Sequence, residues 1–339
     1  MVKNMKLYIP PSFRIISANI VKSGNPLGLK KTDCAAWAEG LQIPTKGETI
    51  LYTGCEYQMT AYIGSLVEVL EKVKFKDGLL SAFSGIQAVT GKLGVDLTKI
   101  YTKVTGGESE TYNNLVRMAA LTLRKLGIDF AYLEGELYTG ALLYEYGLFE
   151  ELEAQAKLVV KQLREAGVKK IIALTPHSAE AFQQVYPQFV DSSGFEVTTY
   201  VSIVADAIKK LGTRLSLPEP LSVTIHDPCH LARSLKITEA PRDVLQAITN
   251  LEVRETQFNK ELTGCCGAPC ETIFPELSEL VANKRVEELA ATGAEAVVTL
   301  CPYCYANLKR SIDATGTKLK VVDFIEIVYQ ALEASNARA

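Results

Sequence analysis

The chain has 339 residues, 47% of them hydrophobic and 22% charged, a globular balance that excludes a disordered chain. Its formal charge of −3, from 36 basic and 39 acidic side chains, removes the electrostatic basis for a general nucleic-acid binder. No stretch reaches the roughly 18 apolar residues of a membrane span, and the opening MVKNMKLYIPPSF lacks the apolar core of a secretory signal, so a cytoplasmic chain with no direct membrane span is expected.

In chain order, residues 1–48 read as a lead-in segment holding GNPLG (24–28) and a helix start before AAWAEGL (35–41). TILYTGC (49–55) follows as a short β-branched strand that ends in a cysteine. KFKDGLLSAFSG (74–85) and KVTGGESETYNN (103–114) read as loops around short helices, and EGELYTGALLYEYG (134–147) as a Gly-containing loop. LFEELEAQAKLVVKQLREAG (148–167) places Leu148, Leu152, Leu158, Val159 and Leu163 near helical spacing and stops at Gly167. A buried strand, IIAL (171–174), then leads through Thr175-Pro176-His177-Ser178 into another helix, and FEVTTYVSIVADAIKKL (195–211) closes the series.

The series then recurs. SVTIHDPC (222–229), ELTGCCGAPC (261–270), a helix in 275–293, a strand AVVTL (296–300) running into CPYC, and LKVVDFIEIVYQALE (319–333) repeat its order and character. Tyr138-Thr139-Gly140 falls opposite Cys265-Cys266-Gly267, and Thr175 and Ser178 fall opposite Cys301 and Cys304. Strands alternating with helices favour parallel sheets. The expected fold class is α/β: two pseudo-twofold-related βα lobes, 49–215 and 216–339, with mainly parallel sheets and an insertion in the first near 76–112.

Six of the eight cysteines lie between positions 229 and 304. Clustered cysteines in a cytosolic chain more often bind metal or react than form disulfides. Cys229, Cys265, Cys266, Cys301 and Cys304 come from three loops at predicted strand ends, where α/β sheets gather their chemistry. Five thiolates exceed the four that zinc takes, which favours an iron–sulfur cluster. Gly264 and Gly267 would let backbone approach a bulky inorganic group. His226 and His230 bracket Cys229, as residues that orient the turn, as hydrogen-bond donors to cluster sulfur, or, for His230, as a catalytic proton source. Arg233 is either a charge near the cluster or a solvated side chain. Cys270 stays unassigned. Isolated Cys34 and Cys55 read as small buried hydrophobes, and His177 as a structural residue.

DPCHLAR, GCCGAPC and CPYC at these spacings resemble the cysteine-rich CCG domain found in B-type heterodisulfide reductase subunits, in their fused D-type relatives, and in iron–sulfur subunits of complexes that oxidise glycolate, lactate or glycerol 3-phosphate. The resemblance covers about residues 20–335 and is most specific in the second half. It implies one noncubane [4Fe–4S] cluster per chain, held by Cys229, Cys265, Cys266, Cys301 and Cys304, and a duplicated CCG domain in which the first copy is degenerate. Of the five ligand positions in that copy only Cys55 remains, and Tyr138 and Tyr144 are expected to fill the vacated site.

The activity implied is the making or breaking of S–S bonds on a small thiol, disulfide or persulfide substrate, within a heterodisulfide-reductase-like complex. The partners implied are a ferredoxin-like C-type subunit, a flavin-containing A-type subunit and a lipoate-binding carrier protein. The alternative is an electron-relay subunit that passes electrons from a flavin-dependent 2-hydroxy-acid or glycerol-3-phosphate dehydrogenase to quinone.

Overall fold

The computed structural model describes residues 11–63, 106–212, 215–271 and 273–336. Its strands form two sheets, parallel throughout. The first contains β1 (Thr49–Tyr52), β2 (Lys170–Ala173) and β3 (Glu196–Thr199), in the order β1-β2-β3. On the free side of β1, Ile50 pairs in parallel with Ala131. The second contains β4 (Leu215–Ile225), β5 (Ile248–Val253), β6 (Ala296–Thr299) and β7 (Lys320–Asp323), in the order β5-β4-β6-β7. With the Ala131 bridge in the place of β5, both sheets have the same order.

Among the described residues the α-helices are α1 (Pro11–Ser23), α2 (Lys31–Ala35), α3 (56–63), α4 (Gly106–Lys125), α5 (Ala141–Glu145), α6 (Phe149–Glu165), α7 (Pro176–Glu180), α8 (Tyr200–Leu211), α9 (Glu239–Gln246), α10 (Pro275–Ala290), α11 (Pro302–Thr315) and α12 (Phe324–Asn336). Local sequence explains the central ones. In α6, Leu152, Ala156, Val159, Val160 and Leu163 are buried along one face while Glu and Lys side chains take the other. Thr175 and Thr199 cap α7 and α8 by accepting hydrogen bonds from the backbone N–H of Ser178 and Ser202, both at 3.2 Å. Caps of this kind are worth about 1 kcal/mol each. Proline stands in the first turn of α7, α10 and α11, where its missing N–H costs nothing.

The repeat extends to backbone detail. Gly140 and Gly267 both adopt φ +84° and each precedes a short helical turn. Thr175 and Cys301 are the equivalent N-cap residues of α7 and α11. The lobes are tightly joined. One apolar core runs through both. Helix α8 of the first lobe packs on α9 of the second, and α12 packs on α4. The Tyr57 hydroxyl donates to Asp323 Oδ2 at 2.9 Å across the buried junction.

Several expectations need correction. KVTGGESETYNN is not loop throughout: from Gly106 it begins the 20-residue helix α4, whose Leu115, Val116, Ala119, Ala120 and Leu123 supply a buried stripe that outweighs the two leading glycines. The rest of the expected insertion, 76–105, lies outside the described residues. AAWAEGL holds only the end of α2 and a 3-10 turn, Ala36–Ala38. Cys34 and Cys55 are buried, but they are not separate hydrophobes: they form a disulfide, with Cα atoms 5.0 Å apart. Sequence spacing could not show that the lead-in folds back onto the end of β1. Tyr138 is fully buried, whereas Tyr144 is half-buried and packs on Phe149.

Candidate functional site: a thiol cluster facing a histidine–carboxylate wall

Cys229 follows β4, Cys265 and Cys266 lie on the loop after β5, and Cys301 and Cys304 follow β6. Parallel pairing brings these strand ends to one edge of the second sheet. All five cysteines are free thiols; Cys266, Cys301 and Cys304 are buried and Cys229 and Cys265 partly so. Four of them, Cys229, Cys266, Cys301 and Cys304, border one cavity between the lobes. Cys270 sits on the far side of a 3-10 turn and does not line it.

Thiol hydrogen bonds from Cys229 and Cys266, with the Gly267 N–H at 3.3 Å, hold Cys265 well below the usual thiol range. The neighbours move the other way: Cys229 is pushed up, first by its bond to Cys265 and then by burial. Cys266 and Cys304 are pushed up by thiol neighbours and burial. Burial opposes ionisation of Cys301, but the Cys304 thiol and His177 together overcome it. Sulfurs packed this closely cannot all ionise without a shared cation.

His226 gives an independent test of fit. Its Nδ1 accepts from Arg285 Nε at 3.2 Å, which fixes the hydrogen on Nε2. That Nε2 is buried and has no partner among the described residues. The imidazole lies against Cys266 and Cys304, with donor atoms all within 4.8 Å of one another. Burial and then the nearby Arg285 hold its pKa down at about 3, so it is neutral. A neutral N–H aimed among thiols suits a sulfur acceptor. The donor set therefore fits an iron–sulfur cluster.

The surrounding residues hold the loops. Asp227 receives Arg242 through two nitrogens, at 2.8 and 3.0 Å, and the Lys260 N–H at 2.8 Å. That tie anchors the Cys229 turn to the segment leading into Cys265. Arg233 is exposed to solvent and also donates to the Thr263 carbonyl at 2.6 Å, just before the cysteine pair. The glycines beside that pair answer to protein rather than ligand. A Cβ on Gly267 would lie 2.5 Å from the Ser278 carbonyl, and one on Gly264 would press on Arg285 at 3.1 Å.

The opposite wall was largely missed from sequence. His177 is no mere structural residue: its Nδ1 lies 3.8 Å from Cys301 Sγ and 3.8 Å from Glu56 Oε2. His177 Nε2 and His230 Nε2 approach one carboxylate oxygen of Glu145, at 3.4 and 3.2 Å. His230 Nδ1 bonds Glu180, and the two imidazoles face each other with centroids 4.0 Å apart. Where the second lobe carries thiols, the first carries Thr175 and Ser178, whose hydroxyls both donate to Glu56 at 2.8 and 2.5 Å. Burial raises the Glu56 carboxyl to about 7 despite His177 and those hydroxyls. Apart from His230, the sequence signal for this wall was the alignment of Thr175-Pro176-His177-Ser178 with CPYC.

Comparison with known proteins agrees with this geometry. The family model of the cysteine-rich CCG domain matches residues 223–309. The D-type subunit of the dihydromethanophenazine:CoB–CoM heterodisulfide reductase from Methanosarcina barkeri is 31% identical over 246 residues, 70% of this chain and 59% of that one. The probable iron–sulfur-binding oxidoreductase FadF of Bacillus subtilis is 25% identical over 325 residues, 93% of this chain and 40% of that one. The EtfAB:quinone oxidoreductase of Syntrophomonas wolfei is 30% identical over 240 residues, 66% of this chain and 33% of that one. The chain thus spans between a third and three fifths of these relatives. No helix among the described residues is long and apolar enough to cross a membrane. Through the thiol-bearing loops of its second lobe, residues 223–309, the chain carries a domain of the cysteine-rich CCG family.

Proposed function

We propose that this chain is the iron–sulfur redox subunit of a heterodisulfide-reductase-like complex, and that S–S bonds are made or broken in the cavity between its lobes. One observation carries the reading: five free thiols from three loops converge at one sheet edge beside that cavity. Cys229, Cys265, Cys266, Cys301 and Cys304 would hold a single noncubane [4Fe–4S] cluster. Such a group supplies one-electron steps and an iron that can take a thiolate.

The protein supplies the surroundings. His226 offers its Nε2–H to sulfur, and Asp227, Arg242 and Arg233 fix the loops. Leu27, Met59, Ile63 and Leu142 make much of the cavity wall apolar, which excludes water and favours an uncharged, hydrocarbon-bearing thiol or disulfide. His230, joined to Glu145 and Glu180, stands at that wall as the group able to give a proton to a leaving thiolate. Electrons would pass to a ferredoxin-like C-type subunit and a flavin-containing A-type subunit, with a lipoate-binding carrier as a source of substrate.

A second reading is favoured by the first lobe, where hydroxyls and Glu56 stand in place of a second thiol set. There the chain only relays electrons between a flavin dehydrogenase and quinone. Anaerobic iron and labile-sulfide analysis, with electron paramagnetic resonance after thiol addition, separates the two. About four irons and a thiol-dependent signal, lost in Cys265→Ser, support S–S chemistry. About four irons and a signal indifferent to thiols support the relay, and absence of iron and sulfide overturns both.

A further inference from the structure

Glu145, His177 and His230 meet where the two lobes face each other, and the cluster reading does not use them as ligands. Glu145 ends α5, His177 lies in the first turn of α7, and His230 follows Cys229. Their donor atoms all lie within 4.8 Å of one another. The two histidine Nε2 atoms stand 3.4 and 3.2 Å from the same Glu145 oxygen. Ligands about 2.0–2.1 Å from a tetrahedral zinc are separated from one another by roughly 3.3–3.4 Å.

Two further observations point the same way. Both carboxylate oxygens of Glu145 are buried and without a hydrogen-bond partner among the described residues. The nearest polar atoms are the two imidazole nitrogens, which pair with the carboxylate by charge. Moreover, each histidine has an acidic neighbour at its other nitrogen, a carboxyl at His230 and, at His177, Glu56 and the Cys301 thiol at equal distance. His230 Nδ1 bonds Glu180, and His177 Nδ1 lies 3.8 Å from Glu56 Oε2. A carboxylate behind each imidazole, holding the ring with its other nitrogen forward, is the usual support of metal-bound histidine.

We propose that Glu145, His177 and His230 form a mononuclear site for a divalent first-row metal, zinc in the first instance, distinct from the thiol site and sharing its cavity. Two imidazoles and one carboxylate are borderline donors that suit zinc, and also ferrous iron. Glu180 and Glu56 are its positioning residues. All three side chains line the cavity, so a thiolate or carboxylate entering there would meet a Lewis acid on one side and the thiols on the other. The site stands on its own residues and does not depend on the redox reading; a metal there would occupy His230 Nε2, so the proton-donor role of His230 belongs to the metal-free chain.

The probe is zinc alone. One equivalent is added anaerobically to chelator-treated protein carrying its reconstituted cluster, and zinc X-ray absorption is recorded. The expected result is one bound zinc with only nitrogen and oxygen neighbours at about 2.0–2.1 Å and unchanged labile sulfide. Glu145→Gln should abolish uptake without loss of sulfide, and Glu180→Gln should weaken binding by about 10–100-fold. A sulfur shell at about 2.3 Å would place the zinc on the thiols and overturn the site. So would absence of uptake by the wild-type chain, which would leave an ion-paired trio. Neither result bears on whether the thiols hold iron, which labile sulfide reports separately.

Discussion

His177 and Tyr303 occupy equivalent places in the two lobes, each following the proline that opens its helix, and their rings meet edge to face with centroids 5.0 Å apart. The equivalent helix starts of the two lobes therefore meet at the cavity. One side of that contact is built of thiols, the other of carboxylates, hydroxyls and imidazoles.

The buried His226 N–H should tune the redox centre. A hydrogen bond to cluster sulfur stabilises the more reduced, more negative state. His226→Leu is expected to lower the potential, and His226→Gln, which can still donate, to restore part of it. Potentiometric titration followed by electron paramagnetic resonance checks this; equal potentials in wild type and His226→Leu would refute the hydrogen bond.

Two equivalent glycines should respond unequally. A Cβ at Gly267 meets a fixed carbonyl at 2.5 Å, whereas one at Gly140 meets the side chain of Gln155 at 3.2 Å. Both share the strain of φ +84°. Gly140→Ala should cost about 1 kcal/mol. Gly267→Ala should cost about 1–3 kcal/mol more and lower iron content. Thermal melts with iron assay compare the pair.

The Asp227–Arg242 pair is buried, with Glu255 as a second partner for the guanidinium. Arg242→Met leaves Asp227 without its counter-ion, and breaking such pairs costs about 3–5 kcal/mol. Urea denaturation should show the loss. Because the tie spans the approach to Cys265, cluster retention should fall with it.

Asp323 carries a pH dependence. Burial raises its pKa from 3.8 to about 7, opposed in part by hydrogen bonds from the Ile325 N–H and Tyr57. Between those values the folded chain holds a proton that the unfolded chain has released, so this residue's contribution to stability falls as pH rises from about 4 to about 7. The full effect is roughly 4 kcal/mol. Asp323→Asn should remove that part of the slope, seen as a smaller difference in urea midpoint between pH 5 and pH 8.

Much of the second lobe was legible in the sequence, because its strands, turns and cysteines each leave a local mark. The strand AVVTL, the proline turn at Pro302 and helix α10 all appear within a residue or two of their expected bounds, apart from the tail of α10, which stops at Ala290. The first lobe was less legible. Its site is made of residue types that serve many purposes, and Glu56, Glu145, Glu180 and His177 acquire meaning only when α5, α7 and the Cys229 turn come together. The Cys34–Cys55 bond is a contact between lead-in and first lobe that no spacing records. Helix α4 was hidden by its two leading glycines, although its apolar stripe was in plain view.

Tyr57 and Asp323 close the seam between the lobes from within the shared core. Parting the lobes would expose that core to water and break the Tyr57–Asp323 hydrogen bond, so it is costly. Maturation of the thiol site must therefore proceed through a standing doorway, or during synthesis before the second lobe has closed. A scaffold or carrier that delivers iron and sulfide would have to match the rim of the cavity rather than pry the halves apart, and the width of that rim would set what can be inserted after folding is complete.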